Sequence, residues 1–373
     1  MKIATIYTLY GRRAGAELCF EATIKAINEN YPKVEWIVFC NDEAYDTFSD
    51  TNRIKMVKIN MLNNQYKKAI WLEFMSRKFV MSYNPDCFWI PSGCNHFPGK
   101  WPIPVLTTFH DFGEYHVKNK YSKMRMIFRK RICIPLNLKR AKLFTTVSQF
   151  TANDLMELFH KDSSKISVVY NGASPHSIKF TENEDDSLKK LGLQKGQYFF
   201  TPGRTDYVGK GLDLLFEAFR KIEDKKLKLV LVGPKGEGYE LMLNDLSKDN
   251  YVDGRILYLG RVSDENLALL YKNCIATVIS SRFEGFGFPV LEAMEYQVPV
   301  ICSDAGALPE VAGESALVFK NGCSKELLRC MERIINNEEL RSLLKASSKQ
   351  QYKKFNWDNT AKGMYLAFQK VIE

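Results

Sequence analysis

The chain has 373 residues, 45% hydrophobic and 26% charged, with a formal net charge of +10. That length exceeds what one core organises, so two domains are expected, and no apolar stretch reaches the roughly 18 residues of a membrane-spanning helix. Nine cysteines scattered from Cys19 to Cys330 without a Cys-x-x-Cys pair exclude a disulfide frame and a zinc site, and point to a reducing compartment. Met1 to Tyr7 runs straight into a strand pattern with no signal-peptide layout. The expected location is cytoplasmic, soluble or peripheral on the inner face of the membrane.

Apolar β-branched runs alternate with helical patterns throughout, which predicts parallel sheets covered by helices on both faces. In the first half strands are expected near 3–9, 35–40, 54–59, 87–91, 105–109, 143–147 and 166–170. In the second half they are expected near 198–201, 228–232, 256–259, 275–279, 300–303 and 316–319. A polar, acidic stretch holding Glu182, Glu184, Asp185 and Asp186 separates the two series. The expected organisation is therefore a Rossmann-like domain over 1–174, a linker over 175–190, a second Rossmann-like domain over 191–354 and a closing helix over 355–373. Ligands of open α/β sheets sit beyond the carboxyl ends of the strands, so the site is expected in a cleft between two facing sheets.

Charge is unevenly spread. Residues 1–174 hold 25 Lys and Arg against 15 Asp and Glu, whereas residues 175–373 hold 28 against 28. No acid occurs from Tyr115 to Asn153, a stretch containing ten cations from Lys118 to Lys142 interleaved with Met124, Met126, Ile127, Phe128, Ile132 and Ile134. Such a run either presses against anionic lipid or packs its apolar face inward and leaves its charges solvated. It has no nucleic-acid motif and little aromatic interleaving, so nucleic acid is not an expected partner.

Four loops carry residues suited to chemistry. The first turn holds Gly11 and Gly15 with Arg12 and Arg13 between them, which is not the dinucleotide Gly-x-Gly-x-x-Gly fingerprint. His110 and Asp111 follow the strand near 105–109; His96, His116, His160 and His176 lack such a context and read as structural. The stretch Thr201-Pro202-Gly203-Arg204-Thr205-Asp206-Tyr207-Val208-Gly209-Lys210-Gly211 ends a strand and turns on glycines into a helix. Arg204 offers a forked donor there and Lys210 a point charge, a pair suited to a diphosphate, and the Walker order is absent. At Gly260-Arg261-Val262-Ser263-Asp264 a strand passes into a helix capped by Ser263 or Asp264.

The most informative segment runs from Ser280 to Met294. Glu284 and Glu292 stand eight positions apart across Gly285-Phe286-Gly287-Phe288-Pro289. Pro289 suits a first helical turn, so helix N–H groups point at a glycine turn that a phosphate can approach closely. Glu292, about one turn into the helix, can accept hydrogen bonds from ribose or sugar hydroxyls.

This segment, with Gln297 to Val311 after it, resembles the Glu-(seven residues)-Glu signature of the retaining glycosyltransferases of family 4, and the resemblance covers nearly the whole chain. It implies the two-domain GT-B architecture and a metal-independent transfer of a hexose from a nucleoside-diphosphate sugar to a glycan or lipid-linked hydroxyl in cell-surface polysaccharide synthesis. No cofactor or metal is implied beyond the sugar nucleotide. By the same resemblance the catalytic set is His110, Glu284, Arg204 and Lys210. The donor-binding set is Gly11, Gly15, Arg261, Val262, Gly285, Phe286, Gly287, Phe288 and Glu292, with the first turn on the acceptor side. The His110-Asp111 segment leans towards mannosyltransferases. Other readings are a catalytically silent sugar-nucleotide-binding or partner module, and a basic nucleic-acid-binding protein.

Overall fold

Short runs of β-branched and aromatic residues form two parallel sheets, each the centre of its own unit. The computed structural model describes residues 1–11, 15–48, 52–117, 122–173, 183–247 and 254–373. One unit comprises Met1–Gly172 with Asn356–Glu373, and the other Ala173–Phe355.

The first unit contains β1 (Lys2–Tyr7), β2 (Glu35–Cys40), β3 (Ile54–Lys58), β4 (Cys87–Ile90), β5 (Val105–Phe109), β6 (Leu143–Thr146) and β7 (Ile166–Val168), in the order β3-β2-β1-β4-β5-β6-β7. All pairings are parallel; Ile3, for example, lies between Trp36 and Cys87. The order reverses direction at β1 and β4, which opens a crevice at their carboxyl ends. On one face the helix Gly15–Asn30 and the last helix, Trp357–Ile372, bury Phe20, Ile24, Met364 and Phe368 against Trp36 and Trp89. Tyr31 and Tyr365 stack at 3.9 Å between ring centroids, and Asn30 donates to Asp358 at 2.9 Å. These contacts place the end of the chain within the first unit's core.

On the other face two helices are each widened by a π-turn. Gln65–Ile70 passes through Trp71–Met75 into Ser76–Met81, and Lys123–Phe128 passes through Arg129–Cys133 into Ile134–Arg140. Trp71, Leu72 and Cys133 pack with Phe39, Phe88 and Ile90, and a bidentate ion pair joins Arg140 to Glu73 at 2.7 and 3.1 Å.

This arrangement divides the cationic run between core and surface. Lys118 and Lys120 lie outside the described residues. Arg129 is only 4% exposed: its Nε and Nη2 donate to Glu114 at 3.2 and 3.0 Å, and its Nη1 to Asn95 at 2.9 Å. Cys133 and Ile134 are buried, whereas Met124, Ile127 and Ile132 face outward. The run divides because one stripe of a helix must seal the sheet while the opposite stripe stays wet.

The second unit contains β8 (Tyr198–Pro202), β9 (Lys228–Val232), β10 (Ile256–Tyr258), β11 (Ala276–Ile279), β12 (Val300–Ser303) and β13 (Ala316–Phe319), in the parallel order β10-β9-β8-β11-β12-β13. Its reversal falls between β8 and β11. Part of the stretch expected as linker is folded: Asn183 caps a helix over Glu184–Lys190, and Glu184 accepts from Lys272 at 2.5 Å and Asn273 at 3.1 Å within this unit. Residues 175–182 of that linker lie outside the described residues.

Candidate active site

Pairing of β8 with β11 brings the loops after them together at the second unit's reversal point. Gly211 adopts φ +63° at the start of the Leu212–Arg220 helix, and a Cβ there would lie 2.0 Å from the Ser280 carbonyl oxygen. Only glycine fits. Ser280 Oγ donates to the Lys210 carbonyl at 2.8 Å, and the Arg282 amide donates to the Gly209 carbonyl at 2.9 Å. Arg282 also clamps Asp213 with two bonds of 2.7 Å. The loops are thus stitched through backbone and side chains before any ligand arrives.

That stitching sets Lys210 Nζ 2.5 Å from Glu284 Oε1, which also accepts from Ser281 Oγ at 2.7 Å. The Glu284 carbonyl accepts from the Ala307 amide at 2.9 Å, against Gly306 at φ +63°. Arg204 is exposed at the same mouth and makes no ion pair among the described residues. Arg204, Lys210, Ser281, Glu284 and Pro289 line a shallow, solvent-open pocket. A carboxylate, an ammonium and a guanidinium in one pocket can hold hydroxyls on one side and phosphate oxygens on the other.

Gly287, at φ +106°, precedes the helix Phe288–Glu295, which has Pro289 in its first turn. Phe286 is buried with its ring edge-on to Phe288 and Phe355, so the aromatic residues brace the turn. Gly285 is half-buried in the same turn. Glu292 accepts from the buried Tyr271 hydroxyl at 2.5 Å, and burial together with this carboxylate pushes the Tyr271 pKa well up. The structure therefore gives Glu292 a fixed orientation through a residue with no motif. Arg261 is exposed and Val262 half-buried just before Ser263, which caps the Asp264–Asn273 helix through the Asn266 amide at 3.2 Å.

The remaining residues of the predicted set lie in the first unit. Gly11, at φ +86°, donates its amide to Glu43 at 2.7 Å, and Gly15 opens the first helix. Arg12 and Arg13 lie outside the described residues. His110 follows β5 with Nε2 2.9 Å from the Pro91 carbonyl. A carbonyl only accepts, so Nε2 carries the proton and Nδ1 is left as an acceptor. Burial lowers the His110 pKa, opposed by its bond to Pro91. His110 lines a small, largely apolar pocket with Trp89, Thr108, Asn171 and Met364.

Sequence reasoning missed Ser281 and Tyr271, which position the two glutamates, and it set His96 aside. Ser281 was legible in principle as a hydroxyl three residues before Glu284. Tyr271 was not, because its role depends on helix packing.

Burial also lowers the His96 pKa well below the ordinary value, with the Lys68 charge adding to the effect. Both His96 and His110 are therefore neutral in the folded chain, while in the unfolded chain they take up protons below about pH 6.5. A lowered folded pKa gives stability that is present above the unfolded pKa and lost on acidification. Urea midpoints should fall steadily from pH 7 to pH 5, and His110→Gln with His96→Gln should flatten that fall; an unchanged slope would contradict neutral burial.

Two Rossmann-like units with this pocket at a strand-order reversal define the GT-B class of glycosyltransferases. The model for glycosyl transferases group 1 matches residues 183–351, and that for glycosyltransferase family 4 matches residues 15–176. The O-antigen chain mannosyltransferase B of Escherichia coli is 30% identical over 268 residues, 68% of this chain and 67% of that protein. The O-antigen chain mannosyltransferase RfbU of Salmonella typhimurium is 28% identical over 219 residues, 58% of this chain and 57% of that protein. Among solved structures, Anabaena HepE in complex with UDP-glucose superposes with a TM-score of 0.76 at 19% identity, covering 99% of this chain and 100% of that one. Sucrose-phosphate synthase from Thermosynechococcus elongatus gives 0.76 at 18%, covering 99% and 98%. The chain belongs to glycosyltransferase family 4.

Proposed function

We propose that this chain transfers a hexose, with mannose favoured, from a nucleoside-diphosphate sugar to a hydroxyl of a glycan or lipid-linked saccharide, with retention at the anomeric carbon, in cell-surface polysaccharide synthesis. The observation that carries this reading is the Lys210–Glu284 contact beside Arg204 at the β8/β11 reversal. Mannose is favoured by the O-antigen mannosyltransferases among the relatives.

In this reading Arg204, Lys210 and the helix end near Gly287 and Phe288 stabilise the diphosphate as its bond to the anomeric carbon breaks. The acceptor oxygen bonds to that carbon from the same face, and its proton passes to a diphosphate oxygen. Glu284, held by Lys210 and Ser281, accepts from hydroxyls of the reacting sugar, while Glu292, held by Tyr271, accepts from the ribose. Arg261 and Val262 present backbone to the base. His110 offers Nδ1 to a sugar hydroxyl, and Gly11 and Gly15 shape the loop on the acceptor side. The two cations supply the charge for departure, and no divalent metal is required.

A panel of GDP- and UDP-hexoses assayed for free nucleotide is the test. GDP-mannose should release nucleotide fastest, with an α-linked product from an α-linked donor. Binding without turnover of any donor would support a silent sugar-nucleotide-binding module instead.

We further propose that the acceptor is met at an anionic membrane surface. On the first of the two helices Tyr66 and Phe74 are 73% and 75% exposed, with Ile70 and Phe79 also exposed, and on the second Met124 and Ile127 are exposed. Exposed Lys67, Arg77, Lys78, Lys123 and Arg131 provide the complementary charge, each worth about 1 kcal/mol beside anionic lipid. Flotation with anionic vesicles should bind the chain, weaken at high salt and weaken again in Tyr66→Ser/Phe74→Ser. Equal indifference to neutral and anionic vesicles would overturn this surface.

A further inference from the structure

The turn that carries Arg204 and Lys210 is held by more than the loop after β11. It is also zipped to the end of β9 and the loop that follows: Gly203 donates its amide to the Val232 carbonyl at 2.8 Å, Thr205 to Pro234 at 3.0 Å and Tyr207 to Glu237 at 2.9 Å. A Cβ on Gly236 would lie 2.4 Å from the Asp206 amide nitrogen, so this close approach needs a glycine. Within the turn, Asp206 accepts from the Gly209 amide through its side chain at 3.0 Å and from the Lys210 amide through its carbonyl at 2.9 Å. Residues 206–210 therefore move as one piece, and a shift at Tyr207 is carried to Lys210.

A side-chain bond ties this zipper to the helix beyond it. Tyr207 OH donates to Oδ2 of Asp245, on the helix Tyr239–Ser247, at 2.7 Å. Arg220, in the last turn of the Leu212–Arg220 helix, donates through Nη2 to Asp245 Oδ1 at 3.3 Å and to the Asp245 carbonyl at 3.0 Å. Asp245 is thus fixed from a second helix and offers Tyr207 a stationary acceptor. Burial, reinforced by the bond to Asp245, pushes the Tyr207 pKa well up, so the hydroxyl stays protonated and remains a donor. The ring of Tyr207 lies 6.2 Å from that of Phe216 between centroids, a contact that phenylalanine would make equally well. The hydroxyl therefore serves Asp245 rather than the core.

Tyr207 stands midway between Arg204 and Lys210. Two cations repel across an empty turn, and an anion rewards them only when both face it at once. An anchor outside the pocket keeps them converged without occupying any group that would touch the ligand. Lys210 also contacts Glu284, assigned above to the reacting sugar, so the turn serves the phosphate next to that sugar, the one a nucleoside monophosphate lacks.

We infer that Tyr207, anchored by Asp245 and Arg220, is a positioning residue that sets the Arg204–Lys210 turn in register for the β-phosphate of a nucleoside diphosphate. This role rests on the diphosphate reading of that turn proposed above. It acts through the two cations and not by contact with the ligand.

The test compares nucleotide affinities by titration calorimetry of the full chain, UDP against UMP and GDP against GMP. Tyr207→Phe should weaken the diphosphate that the parent protein binds by about three- to tenfold, the range of one lost hydrogen bond. The matching monophosphate should change by less than about twofold, which also shows that the variant is folded. In an Arg204→Met/Lys210→Met background the same substitution should cost nothing further, because the groups it positions are gone. An equal fall for monophosphate and diphosphate, an undiminished diphosphate affinity, or a loss that persists without the two cations would overturn the positioning role. A selective loss in a chain that transfers no hexose retains the role and removes the transferase reading, whereas a parent chain that binds neither diphosphate removes the donor reading and the role of Tyr207 with it.

Discussion

Replacing Lys210 by alanine is expected to cost on the order of 2–4 kcal/mol of transition-state stabilisation, read as a fall in kcat/KM of about two to three orders of magnitude. Two losses combine. The diphosphate loses a fixed cation as its charge grows, and Glu284 loses the ammonium that holds its Oε1 at 2.5 Å. Arg204→Ala removes a side chain with no ion-pair partner among the described residues, so its cost should fall on the reaction and little on stability. Lys210→Ala should therefore disturb both kcat and KM, whereas Arg204→Ala should act chiefly on kcat. Both losses should persist with a chelator present. Activity that survives both substitutions, or that demands added divalent metal, would remove the cationic clamp from the mechanism.

The strands were legible because each is a short, fully apolar run bounded by turn residues, the pattern of strands covered on both faces. Their carboxyl ends were less so. Leu9 was read as part of β1, yet it lies beyond the strand, clamped by Asn41. A side-chain clamp replaces the strand ladder there and has no periodic signature. Glu284 and Lys210 were legible as members of two separate loops, but their contact across 74 positions depends on the pairing of β8 with β11 and could not be read along the chain. Tyr271 and His96 stayed hidden because a buried polar group is identified by its neighbours, and those arrive from distant segments. Within the basic run the burial of Arg129 was hidden for a related reason: its partner Glu114 stands just before the run begins, and their contact depends on the fold.

That pair carries the largest expected effect on folding. Glu114→Ala should destabilise the chain by about 3–5 kcal/mol, because the Arg129 guanidinium beside it is 5% exposed and loses its nearest carboxylate at 3.0 Å. Asn95 still accepts from Nη1 at 2.9 Å, and Asp111 stands 4.0 Å from Nη2, too far to replace two direct bonds. Because much of the loss is the cost of stranding a buried charge, removing both charges should cost far less than removing one. Glu114→Leu combined with Arg129→Met is expected to unfold in urea close to the parent protein, while Glu114→Ala alone shifts the midpoint strongly downward. The weakness should be local before it is global, since Arg129 opens the π-turn that carries Lys123–Phe128 into Ile134–Arg140. Amide exchange in Glu114→Ala should rise first in that helix, which also presents Met124 and Ile127 to solvent. A midpoint shift below about 1 kcal/mol would mean that the remaining partners of Arg129 satisfy the charge without Glu114.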